Sequence, residues 1–341
     1  MNIIINNQKK EINIGLALLK IYLSFVVVNI HCFDISNGPH ILKNFLINGL
    51  HVPTFFIISF YFFSRTLLSR NLDKFKQRFQ RLLIPYIIWP IIIFIFNNLL
   101  YIIFKINLSN SFYDLESQLL TGHSFIPPLW FQWCLIFQTF LFIVIELIFH
   151  KYIIFIFLNI KIVSYFLQYS SINYYLFENF NKEQKYTFGR ILEIFPYSIS
   201  GFFIAYFEII IKFKKDRIKT IYLCIIVFSL YYKYDIIKKP IGFYYQGLKL
   251  NIQSICLFIC FSLIPKNIIP KSLTKITKQI SLFSPGIYYL HYPLLLYFEN
   301  LFLSVKKRTI YGSLFIYIIS YLASFIGNKF VIKTKLKNLF Q

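Results

Sequence analysis

The sequence predicts an all-α fold, a polytopic membrane helix bundle of about ten transmembrane helices. Composition is the first reason: 57% of the 341 residues are hydrophobic and 14% are charged, where soluble domains run to about 45–50% apolar and about 25% charged. Apolar runs recur along the whole chain, many near the roughly 20 residues that cross a bilayer as a helix. Lysine and arginine collect in the short connections between those runs. A span must satisfy its backbone internally, so runs of this length read as helices rather than barrel strands.

The ten spans read in order as 14–33, 45–63, 83–104, 129–149, 152–168, 190–211, 220–235, 247–264, 281–303 and 311–327. No small-residue cleavage site follows the first, which therefore reads as a retained anchor. Pro53 opens the second and Pro85 the third, where a missing N–H costs least. The fourth begins at Pro127-Pro128-Leu129-Trp130. Asn159 and Lys161 interrupt the fifth, the seventh is short, and the ninth holds Ser284-Pro285-Gly286. Of the 36 basic side chains, 22 fall in connections on the N-terminal side and 9 in the opposite ones. The other 5 (Lys20, Lys161, Arg190, Lys233 and Lys249) lie inside spans. This bias places both termini in the cytoplasm. No connection is long enough for a soluble catalytic domain, so residues 1–341 read as a single integral-membrane domain.

The net charge of +23 follows the loops, which argues for a bilayer partner and against nucleic acid. Five cysteines lie in or beside apolar runs with neither a disulfide framework nor a zinc spacing. His40, His51, His123 and His150 read as loop or interface residues, and no histidine pair has a metal-ligand spacing, so no metal is expected.

The candidates for chemistry begin in the first span. An ionisable group inside a membrane is costly, about 2.5–3.5 kcal/mol for Lys, and marks a functional site by default. Lys20 and His31 are eleven residues apart, which returns them to within about 20° of one face and about 16 Å apart along the axis. Asp34 follows His31 by three residues, a spacing at which a carboxylate can fix an imidazole tautomer. His31 also suits a hydrogen bond to a neighbouring helix, with Asp34 simply solvated. Arg78 and Arg81 share a face just before Leu82-Leu83-Ile84-Pro85-Tyr86, and guanidinium forks suit phosphates. Ordinary positive-inside anchoring explains them equally well. Ser59 lies in an apolar helix and could bond back to its own turn. Trp130 suits the aromatic belt. Tyr288 and His291 lie deep in the ninth span and should face the bundle interior.

Taken together, these stretches resemble the acyltransferase-3 family of membrane acyltransferases. Lys20 to His31 is similar to its Arg-x10-His motif, Val52 to Phe63 to its Phe-Phe-x-x-Ser-Gly-Tyr segment, and Arg78 to Tyr86 to its Arg-x-x-Arg…Pro-Tyr segment. Leu129-Trp130-Phe131 and Ser284 to Pro293 match two later motifs in the same order. Two positions depart: Lys20 stands in place of Arg, and Phe60 in place of Gly. The resemblance implies an O-acyltransferase that moves an acyl group, most often acetyl from acetyl-CoA, to a hydroxyl of a cell-surface or lipid-linked glycan at a bacterial inner membrane. It implies that His31 is the general base or transient acyl carrier, that Lys20, Arg78 and Arg81 meet the donor, and that Ser59, Trp130, Tyr288 and His291 line the pocket. Composition alone leaves a lipid-linked saccharide flippase or a polysaccharide polymerase open.

Overall fold

The computed structural model describes residues 13–32, 49–105, 110–122, 124–169, 182–232, 247–265, 268–301 and 310–331. Among these residues the regular structure is entirely helical. The first half holds α1 (Ile14–Cys32), α2 (His51–Leu68), α3 (Leu72–Phe104), α4 (Phe112–Thr121), α5 (Trp130–Phe149) and α6 (Ile153–Tyr169). The second holds α7 (Lys182–Tyr206), the short α8 (Ile209–Phe213), α9 (Arg217–Tyr232), α10 (Leu248–Ser262), α11 (Lys271–Leu282), α12 (Ser284–Leu301) and α13 (Ile310–Val331). Each expected span contains helix among its described residues, with turns at 207–208 and 283 breaking the sixth and ninth. Among the described residues four stretches are long and apolar enough to cross a membrane: Ile14–Cys32, Leu72–Ile103, Pro127–Gln168, which contains α5 and α6, and Tyr311–Lys329.

Three connections hold helices of their own. Helix α3 starts at Leu72 rather than near residue 83, because the Asn71 side chain caps the Lys74 N–H at 2.9 Å and Asp73 sits in the first turn. The basic stretch that reads as a connection is therefore helical, which fixes the direction of Arg78. Helix α4 is closed at its start by a reciprocal Ser111–Asp114 capping box and ended by Gly122 at φ 72°. A Cβ at Gly122 would come within 2.8 Å of the Trp133 Cβ, so glycine also lets this turn lie against the start of α5. Helix α11 is amphipathic. Its Thr277 and Ser281 are buried while Leu273 and Ile276 are exposed, and it packs along α1.

The core is built around α2, which packs on α7, α10, α1 and α5. Between apolar helices in lipid the hydrophobic effect is weak, and close van der Waals packing does most of the work. Gly201 of α7 permits it, since a Cβ there would lie 2.4 Å from the Ile57 carbonyl oxygen. Around that contact Phe56, Phe60, Phe142, Phe157 and Phe202 are fully buried. Their rings meet at centroid distances such as 4.3 Å for Phe142–Phe157 and 4.8 Å for Phe157–Phe202. At one pole the fully buried Glu146 accepts a hydrogen bond from Arg70 Nε at 3.1 Å and pairs with His150 Nδ1. This joins the α2–α3 turn to the α5–α6 turn. The opposite pole carries the end of α1 and the start of α2, with His31 and His51.

Candidate functional site

Arg78 marks one end of the site. Its guanidinium donates from Nη2 to Ser59 Oγ at 3.0 Å and from Nε to Thr139 Oγ1 at 3.1 Å. The Arg78 Cζ lies 4.2 Å from the Phe63 ring centroid and 5.4 Å from that of Phe60. Three helices set this arrangement: α3 supplies the cation, α2 one hydroxyl and the aromatic bed, and α5 the other hydroxyl. Among the described residues no carboxylate pairs with Arg78, so a half-buried cation is held by two neutral acceptors. Such a guanidinium keeps unused donors for an anion. Arg81 is exposed and close enough to interact with Arg78 electrostatically. The structure brings Ser59 and Arg78 together and leaves Arg81 at the edge.

The other end is a cluster of imidazoles. His31, half-buried at the end of α1, faces His291 of α12 with ring centroids 5.2 Å apart and Tyr292 edge-on at 5.5 Å. His291 is fully buried, and its Nδ1 lies 3.2 Å from the Ile287 carbonyl oxygen. His51, at the first residue of α2, is also buried and lies within electrostatic range of His31. Tyr288 orients this part of α12, since its hydroxyl donates to the Pro128 carbonyl and its ring meets Phe131 at 5.3 Å. Among the described residues no three His, Cys, Asp or Glu side chains converge as a metal site. Asp34 lies outside the described residues.

A file of aromatic rings joins the two ends. From Phe60, beside Arg78, it runs through Phe56 at 6.5 Å, then Phe131 at 4.7 Å, and on to Tyr288 at 5.3 Å. Tyr288 in turn lies 6.0 Å from His291. Trp130 is buried rather than belt-like, and the Arg190 Cζ sits 4.9 Å from its ring while Arg190 pairs with Glu193 at 2.8 Å.

An acyltransferase-domain model, that of acyltransferase-3, matches residues 13–329. The chain belongs to the acyltransferase-3 family. No curated protein and no solved structure matches it. Its family and its long apolar helices make this an integral-membrane acyltransferase.

Both departures from the acyltransferase-3 motifs have a place in the geometry. Phe60, where the family carries Gly, turns into the core against Phe142 at 4.5 Å, and the neighbouring Ser59 still reaches Arg78. Lys20, where the family carries Arg, places Nζ 5.8 Å from the Phe62 ring on the flank of α2. Thr139 and His51 were not legible as site residues. A Thr in an apolar helix has no sequence signal that sets it apart from a packing residue. His51 follows Asn48-Gly49-Leu50 and reads as a loop residue, whereas it opens α2.

Proposed function

We propose that this membrane acyltransferase transfers an acyl group, most simply acetyl from acetyl-CoA, to a hydroxyl of a cell-surface or lipid-linked glycan. The observation that carries the reading is the aromatic file between a carboxylate-free arginine and a histidine cluster. It offers an anion anchor, an apolar wall and a base in one line. Along α2 the rise from Ser59 to His51 is about 12 Å, so the two ends lie at different depths in the bundle. The donor's phosphates meet Arg78, with Arg81 at the entrance and Lys20 flanking the path. The acyl-bearing arm runs beside Phe60, Phe56 and Phe131.

At the far end His31 removes the acceptor proton as the oxygen attacks the thioester carbonyl. Ser59 and Thr139 hold the donor anchor, Trp130, Tyr288 and His291 line the acceptor side, and Asp34 is the nearest carboxylate in sequence to His31. The Lys/Arg bias of the connections supports a cytoplasmic donor side at the Arg70 pole and an outward-facing histidine pole at a bacterial inner membrane. The whole chain acts in this reading as one catalytic domain.

The test combines two measurements on wild type and His31→Ala. One is release of free thiol from acetyl-CoA by the purified protein. The other is the O-acetyl content of the producing cell's surface polysaccharide. The expected outcome is loss of both in a variant that still inserts and melts normally. Unchanged acetyl content in His31→Ala removes His31 from the mechanism, and absence of thiol release from wild type removes acetyl-CoA as donor.

A further inference from the structure

We infer that His291 is a positioning residue for His31: the lone pair on its buried Nε2 receives the His31 N–H and fixes which imidazole nitrogen faces the acceptor hydroxyl. This rests on the reading of His31 as the base. The argument starts from the tautomer of His291. A backbone carbonyl can only accept, so the 3.2 Å contact between His291 Nδ1 and the Ile287 oxygen places the proton on Nδ1. In the neutral ring Nε2 is then an acceptor. It is fully buried and has no hydrogen-bond partner among the described residues. Buried acceptors of that kind are rare in folded proteins, and each calls for an explanation.

The group beside it is His31. The two ring centroids are 5.2 Å apart with planes tilted by 40°. Two imidazoles joined by an N–H···N bond of about 3 Å, with each nitrogen roughly 1.1 Å from its ring centre, have centroids about 5 Å apart. A small rotation of the half-buried His31 ring closes that bond. The more buried ring cannot turn as easily, because its own helix holds Nδ1 and Tyr288 is pinned to the Pro128 carbonyl one turn away. Tyr292 lies edge-on to His31 at 5.5 Å and Tyr288 lies 6.0 Å from His291. An orienting partner of this kind does for a base what a carboxylate does in a hydrolytic triad, holding one tautomer and one ring angle.

In the transfer, the acceptor oxygen forms the new C–O bond and the C–S bond of the thioester breaks. The hydroxyl proton passes to the free nitrogen of His31 and then to the departing thiolate. His291 keeps its own proton on Nδ1 throughout, and there is no net oxidation or reduction.

The experiment uses the full-length protein in detergent micelles, acetyl-CoA as donor and the producing cell's own polysaccharide, stripped of O-acetyl groups by mild base, as acceptor. His291→Met fills the space with only a weak thioether acceptor, and His291→Gln restores a strong one. The expected result is a fall in kcat of at least 30-fold for His291→Met, with both KM values within threefold of wild type and an unchanged melting midpoint. His291→Gln should recover at least tenfold of that loss. Equal kcat in the two variants, or an effect confined to KM, overturns the inference. Imidazole 15N shifts of His31 in the wild-type protein give an independent answer: a single tautomer supports the pairing and an even mixture overturns it. Full turnover in His31→Ala overturns both this inference and the base on which it rests. Loss of turnover there with normal His291→Met overturns the positioning role alone.

Discussion

Replacing Gly201 by Ala should weaken both the bundle and its grip on the donor. By helix propensity alone the change favours α7 by about 1 kcal/mol. Packing acts the other way and is larger. The added Cβ would stand 2.4 Å from the Ile57 carbonyl oxygen and 3.0 Å from the Tyr61 nitrogen, both backbone atoms that cannot swing aside. Restoring an ordinary contact requires α2 and α7 to separate by close to 1 Å, and overpacking of this kind costs about 1–3 kcal/mol. Ser59 lies between those two contacts on α2. Its 3.0 Å bond from Arg78 is made on the opposite face of α2, so a shift of the helix away from α7 would drive Ser59 off its present distance and angle to the guanidinium. Hydrogen bonds to a charged group contribute about 1.5–3 kcal/mol, so the KM for acetyl-CoA should rise at least tenfold. The measurements are the thermal midpoint in micelles and the initial rate against acetyl-CoA concentration. A variant with wild-type midpoint and wild-type KM would refute the claim that close approach at Gly201 sets the position of Ser59.

Two further substitutions test other contacts. Thr139→Val removes the acceptor of Arg78 Nε and should raise the KM for acetyl-CoA by about tenfold with little change in kcat, while Thr139→Ser should stay near wild type. Titrating the donor in initial-rate assays of both variants checks this. Arg70→Gln leaves the buried Glu146 carboxylate with His150 alone; losing a partner of a fully buried pair costs about 3–5 kcal/mol, and because Arg70 is half-exposed the expected loss is nearer 1–2 kcal/mol. Adding Glu146→Gln to that variant should return part of the stability, which a denaturation double-mutant cycle would read.

The helices of this protein were legible because a bilayer leaves so few alternatives. Long apolar runs must be helical, and each of the ten expected segments contains helix among its described residues, with breaks such as 207–208 and 283 that hydropathy does not mark. Element ends were less legible, although the signals were present. Asn71 with Asp73, and Ser111 with Asp114, are ordinary N-cap patterns that mark α3 and α4, but hydropathy outweighed them in connections expected to lack helix. The candidate site was legible in its charged and ring-bearing members, His31, Arg78 and His291, because such residues are costly inside an apolar bundle. What could not be read were the pairings. Nothing near Ser59 in sequence shows that its partner is Arg78 rather than its own turn, and Thr139 is set apart only by the approach of α3 to α5. Only tertiary packing selects Arg70 and His150 as the partners of Glu146.

The two facing imidazoles come from the first and the last but one of the described helices. Membrane insertion delivers helices in order, so His31 enters the bilayer long before its neighbour has been synthesised. In the proposed mechanism, until α12 docks the chain would present Arg78, Ser59 and Thr139, all contributed by its N-terminal half, without a completed proton-transfer centre. A nascent or truncated chain would therefore hold donor without discharging it. In the proposed mechanism, late docking of α12 would act as an assembly checkpoint, delaying thioester chemistry until nearly the whole bundle has formed around it.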